Sequence, residues 1–196
     1  AEGAFPAGSR RPSGRPRSGQ NKSGCRGLIV SGGKNLVFQA SATVCNIRIA
    51  TRCVPSLEIA VEYHAVLVHI TQMVNEGDPQ EDLGARIRRG MEVACKESGI
   101  QPQDIAPTYR VVLSSTALIG DRVVYGRYST DLNTVLVQRE RLRAAKADGW
   151  PNFRQAWMDV MQEPVSARES AWGSALAASK SYEEAAAIAD AAYESQ

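Results

Sequence analysis

Histidine occurs only twice in these 196 residues, as His64 and His69. That scarcity removes most familiar catalytic and metal-binding arrangements at once. On a strand their odd separation puts the two imidazoles on opposite faces. On a helix five residues place them about 140° apart, so neither geometry brings both to one metal. Cysteine is nearly as sparse: Cys25, Cys45, Cys53 and Cys95 contain no CxxC pair, which argues against a structural zinc site. Four scattered thiols make no disulfide framework in a chain of this length. If Cys45 and Cys53 share one continuous strand, their Cα atoms stand roughly 26 Å apart, far beyond bridging reach. Free thiols are therefore expected, in an intracellular reducing compartment or an organelle interior rather than outside the cell. No apolar secretory leader opens the sequence. No run approaches the roughly 18 apolar residues of a bilayer-spanning helix, so a soluble or peripheral protein is expected. The sequence also has no H-E-x-x-H, no G-x-S-x-G and no EF-hand loop, and none of its motifs names a cofactor.

What is present is a segregation of charge. Residues 1–26 hold Arg10, Arg11, Arg15, Arg17, Lys22 and Arg26 against Glu2 alone, a formal +5. The other 170 residues carry 17 basic and 20 acidic side chains, or −3. A cationic arm on a mildly acidic body points to an anionic partner. The arm is rich in Gly, Pro and Ser and has no apolar period, so by itself it is expected to be disordered. Arginine outnumbers lysine 18 to 5, and the guanidinium is the better group for bidentate phosphate or carboxylate contacts.

Within the arm, Gly14-Arg15-Pro16-Arg17 resembles part of the AT-hook, a short DNA-binding element with an Arg-Gly-Arg-Pro core. Ser13 stands where the first Arg of that core would be, so the arginine pair that grips a groove is incomplete. Phosphate contact without base readout is the economical reading. In layout the arm resembles the basic extensions of ribosomal and other ribonucleoprotein subunits, and the N-terminal arms of viral coat proteins.

Beyond the arm, Leu28–Val30 and Leu36–Gln39 flank Ser31-Gly32-Gly33-Lys34 and predict a hairpin. A phosphate-loop reading of the same glycines fails, because the lysine falls one place late and no Ser or Thr follows it. "TVCNIRIATRC" alternates strictly and predicts one strand with Cys45, Ile47 and Ile49 inward and Arg48 and Arg52 outward. Residues 56–74 alternate over their first half and are crowded with β-branched and aromatic side chains, which favours a strand. Their length and lack of a break leave a buried helix open. Asp78-Pro79-Gln80-Glu81 reads as a capping box for a helix ending at Gly99. Thr108–Thr130 predicts a second hairpin turning at Gly120-Asp121. Thereafter the pattern is helical, with Asp131, Asn152, Ser166 and Ser181 as N-caps. Trp150, Phe153 and Trp157 recur at helical spacing, which marks core more often than a ligand pocket.

Together these features predict an α+β protein. It has an antiparallel sheet of about five or six strands, one central helix and a helical C-terminal region. The expected division is a basic arm (1–26), an α+β body (27–130) and helices packed on it (131–196). Three functions fit. The first is a non-catalytic structural subunit of a large assembly. It would touch RNA or neighbouring subunits through Arg10, Arg11, Arg15, Arg17, Lys22 and Arg26, with Arg48 and Arg52 extending the cationic track. The second is a coat or nucleocapsid-type protein using the arm on a genome. The third is an enzyme using Glu58, Glu62 and His64 on a shared strand face.

Overall fold

The computed structural model describes residues 27–32, 35–120, 122–163 and 182–195. Five strands, β1 (Leu28–Ser31), β2 (Val37–Val44), β3 (Ile47–Ala50), β4 (Thr108–Ser114) and β5 (Val123–Tyr125), pair antiparallel in sequence order. Between β3 and β4 the chain inserts α1 (Leu57–Glu76), α2 (Leu83–Ser98) and the single turn α3 (Pro102–Ile105). A further turn, α4 (Thr116–Ile119), joins β4 to β5, and α5 (Leu132–Ala147), α6 (Trp150–Gln162) and α7 (Tyr182–Glu194) follow. The protein is thus α+β with a helical C-terminal region. Its insertion contains two long helices where one was expected.

The extra helix is the segment read as a strand. Ser56 caps α1 by accepting from the Ile59 amide at 3.4 Å. The helix buries Ala60, Tyr63, Val66, Leu67, Ile70 and Val74, a spacing of three and four residues that only a helix gathers on one face. The residues that imitated a strand lie elsewhere: Leu57, Ile59 and Val61 are 46%, 38% and 48% exposed. Apolar side chains on both flanks filled every second position without belonging to one core.

The predicted strand through Cys45 is also corrected. Val44 pairs with Ile47, so Cys45 and Asn46 form a two-residue hairpin turn, with φ of 48° and 67°. Two positive φ values are what a turn matched to strand twist requires, and Asn tolerates that region better than most residues. Elsewhere the helix starts shift. Asp82, not Asp78, caps α2 by accepting from Ala85 N at 2.8 Å, while Asp78 instead turns the preceding loop by accepting from Gln80 N at 2.9 Å. Glu81, released from the expected box, receives both Arg89 terminal nitrogens at 2.7 Å. Gly149 occupies the N-cap position of α6, leaving Asn152 inside its first turn. A helical turn rather than two residues links β4 to β5, since Ser114 pairs with Val123.

Other expectations hold. The first hairpin forms, with Ser31 opposite Val37. Gly99 ends α2 in the left-handed region at φ 68°, and Asp131 caps α5 by accepting from the Asn133 and Thr134 amides. The N-caps expected at Ser166 and Ser181 lie outside the described residues, as does Asp121.

Strand alternation and register sort the sheet into two faces. Val44, Ile47, Ile49, Tyr109, Val111, Leu113 and Val124 are buried and share one hydrophobic cluster with α1, α2, α5 and α6. The opposite face carries Thr43, Arg48, Arg110, Val112 and Tyr125. Leu67, fully buried, and Leu57, 46% exposed, test the helical assignment of α1, because a strand would place both on one face. Leu67→Ala is expected to cost about 2–5 kcal/mol and Leu57→Ala under about 0.5 kcal/mol in urea denaturation. Equal losses would contradict the helix.

Candidate functional site

Two arginines define the outer face of the sheet. In the β3–β4 register Arg48 stands directly opposite Arg110, held outward because their neighbours Ile47, Ile49, Tyr109 and Val111 are committed to the core. Arg48 donates from Nη2 to Ser41 Oγ at 2.8 Å. The Arg110 guanidinium lies 4.3 Å from the Tyr125 ring centroid and 4.4 Å from that of Tyr128, so two aromatic faces hold it. Among the described residues neither arginine forms an ion pair. The Nε atoms of both are buried with no hydrogen-bond partner there.

This arrangement is costly in two ways. Like charges directly opposite on a sheet repel, and a buried donor without an acceptor costs about 1–3 kcal/mol. The tyrosines offset part of this, since a cation over an aromatic ring contributes about 0.5–2 kcal/mol. Burial pushes the Arg110 guanidinium below its ordinary range; Tyr128 opposes that shift and the Arg48 charge adds to it. Arginine's very high intrinsic pKa nevertheless keeps the group charged at neutral pH. The result is a pair of neighbouring cations with no ion-pair partner among the described residues, which can attract an oxyanion.

The other predicted site residues fall into separate groups. Arg52 does not join Arg48: its Nη2 reaches the Tyr63 hydroxyl on α1 at 3.4 Å, and the track expected along one strand is split by the loop after β3. Arg10, Arg11, Arg15, Arg17, Lys22 and Arg26 lie outside the described residues. Glu58 and Glu62 are one helical turn apart and exposed on α1, whereas His64 is turned roughly 200° from Glu62. His64 is half-buried against Gly27, where a Cβ would come within 2.2 Å of its Nε2. The Glu58, Glu62 and His64 face therefore does not assemble, because the strand that would have aligned it is a helix.

His69 occupies a groove of about 500 Å³ between α1 and α2, lined also by Glu62, Val66, Ala94, Glu97 and Ile100. Its Nδ1 lies 3.5 Å from Glu97 Oε2. No group of three His, Cys, Asp or Glu side chains among the described residues is arranged to hold a metal. Trp150, Phe153 and Trp157 belong to the core, at 4%, 0% and 7% exposure. Cys45, Cys53 and Cys95 are free thiols, and burial pushes those of Cys53 and Cys95 upward. No helix among the described residues is long and apolar enough to cross a membrane.

Sequence reasoning found Arg48 but missed Arg110, Tyr125 and Tyr128. The alternation of "TYRVVLS" does turn Arg110 outward. Only the register, set by a turn and a 57-residue insertion between β3 and β4, tells which residue it faces. Compared with protein-family models, curated proteins and solved structures, the chain matches none.

The balance of costs at the arginine pair is measurable. Arg110→Met keeps the aliphatic bulk against the two rings and removes one of the facing charges. Stability is expected to stay within about 0.5 kcal/mol or to rise, whereas Leu113→Ala costs about 2–5 kcal/mol. A loss above about 2 kcal/mol for Arg110→Met, by urea denaturation, would mean that the ring contacts outweigh the repulsion.

Proposed function

We propose that this chain is a non-catalytic structural subunit of a larger assembly and that it contacts RNA through its basic N-terminal arm. The observation that carries this reading is the charge segregation: +5 on residues 1–26 against −3 on the remainder. An acidic body gains nothing from a cationic arm unless the arm meets an anion, and a polyanion rewards many weak contacts made along its length. Arg48 and Arg110, which form no ion pair among the described residues, supply cations of the same kind on the body. The dispersal of Glu58, Glu62 and His64 on α1 takes away the geometry on which the enzymatic alternative rested.

Salt dependence tests the proposal. For single-stranded nucleic acid, each neutralised phosphate adds about 0.7 to the slope of log K against log salt. The six arm cations thus predict a contribution of about 4 in the full chain. Changing Arg10, Arg11, Arg15 and Arg17 together to Gln should remove about 3 of it and leave the thermal unfolding midpoint in place. A slope unaffected by these changes, or a full chain with no measurable affinity for RNA, would overturn the reading.

A further inference from the structure

We infer that the outer face of the sheet is a binding platform for single-stranded RNA, in which Arg48 and Arg110 attract the phosphodiester backbone and Tyr125 stacks a base. This rests on the reading of the protein as an RNA-contacting subunit and assigns the body a site of its own.

Three features of the face select this ligand. The first is the unanswered charge of the two arginines. No carboxylate among the described residues pairs with either side chain, and the Arg110 guanidinium is held by two rings rather than by an anion. The Arg48 head turns toward Ser41 on β2 and the Arg110 head toward Tyr125 and Tyr128, so a phosphate backbone laid across the face offsets their mutual repulsion.

The second is the aromatic surface beside them. Tyr125 is 40% exposed, and Val123, on the same face two residues earlier, is 48% exposed. An acidic peptide would use the arginines but has no need of a flat ring, whereas a nucleobase does, and stacking tolerates any base. Bases in a duplex are already stacked on one another, so the face selects single strands. The ring is also held in advance. The backbone of Tyr125 accepts from Trp157 Nε1 at 3.0 Å, the next residue, Gly126, donates to Val111 O at 2.9 Å, and Arg110 packs on the ring itself. Ordering paid for in folding is not charged again on binding.

The third is continuity with the arm. Gly27 follows Arg26 directly in sequence, and its carbonyl accepts from the Ser41 amide at 2.7 Å. The hydroxyl of the same Ser41 accepts from Arg48. Gly27, the residue that follows the arm in sequence, is thus one residue from Arg48, at the edge of the proposed platform.

The test uses the full chain and a fluorescein-labelled single-stranded oligoribonucleotide. A duplex of the same sequence and polyglutamate serve as competitors, and thermal unfolding shows that each variant is folded. Arg110→Gln, with Arg48→Gln as the second variant, is expected to weaken single-strand binding about 10-fold and to lower the salt slope by about 0.7. Tyr125→Leu is expected to weaken it about 5-fold or more with the slope unchanged, because stacking releases no counterions. The duplex should compete poorly and its own affinity should be indifferent to Tyr125→Leu. If the wild-type chain binds no RNA, the platform and the function proposed above fall together. If it binds through the arm but Arg110→Gln, Arg48→Gln and Tyr125→Leu bind like the wild type, the platform alone is overturned. Equal competition by polyglutamate at equal charge would reassign the face to an acidic protein, and equal loss for duplex and single strand would remove the stacking.

Discussion

The register between β2, β3 and β4 is the constraint on which the rest depends, and it begins at two residues with positive φ. Cys45 and Asn46, at 48° and 67°, close β2 onto β3 in a two-residue turn, so Val44 meets Ile47. Because side chains alternate along a strand, a slip of one residue would exchange the two faces. Ile47 and Ile49, both fully buried, would then go to solvent and Arg48 would enter the core. The burial of those two isoleucines therefore holds Arg48 outward as firmly as it holds them inward. The same register carries on to β4, where Ile47 meets Val111 and Arg48 meets Arg110. Arg139 on α5 steadies the turn by donating its Nε to Cys45 O at 2.6 Å.

The C-terminal helices act on the other end of the face. β5 has only three residues, too short an edge strand to be held by ladder hydrogen bonds alone. α6 compensates. Trp157 donates to the Tyr125 carbonyl, and Arg127, just after β5, donates to Met161 O and Glu163 O at 2.9 and 2.8 Å. Those carbonyls are the ones a helix leaves without partners at its C-terminal end, where a cation also meets the favourable side of the dipole. α6 is braced in turn by α7, since Arg154 Nε meets both Asp190 oxygens at 2.8 Å and Trp150 stacks on Tyr193 at 5.9 Å. A chain of contacts thus runs from α7 to the aromatic pair around Arg110.

Much of this fold is legible where one local signal has one physical cause. Gly99 ends α2 because glycine adopts φ 68° at no steric cost. Asp131 starts α5 because its carboxylate reaches two free amides, and the spacing of Phe153, Trp157, Val160 and Met161 gives the buried face of α6. Legibility fails where two signals overlap. α1 buries one stripe but also exposes Leu57, Val61 and Val68, at 46%, 48% and 39%, so its apolar residues have no single period and imitate alternation. At the second hairpin of the sheet, Asn46 fits a left-handed turn but Cys45 does not, and the unbroken alternation of "TVCNIRIATRC" hides it. The candidate site fails for a different reason. Arg48 is outward by its own strand's pattern, but its facing partner depends on a pairing across 57 intervening residues, which no local pattern encodes.

The arginine pair is a place where the described structure works against its own stability. Several other cations are answered by anions: Arg89 by Glu81, Arg141 by Asp159 and Glu163, Arg154 by Asp190. Such pairs at the surface contribute little, typically below about 1 kcal/mol, so a carboxylate opposite Arg48 would be easily accommodated. Instead a second arginine stands there, and two tyrosines are committed to holding it. Strain of this kind persists where the surroundings over-determine it, and it gathers at sites that act on a ligand. A body of net −3 that sets two arginines opposite each other in register concentrates positive charge on one face, and it is on this concentration, as on that of the arm in sequence, that the proposed anionic partner rests.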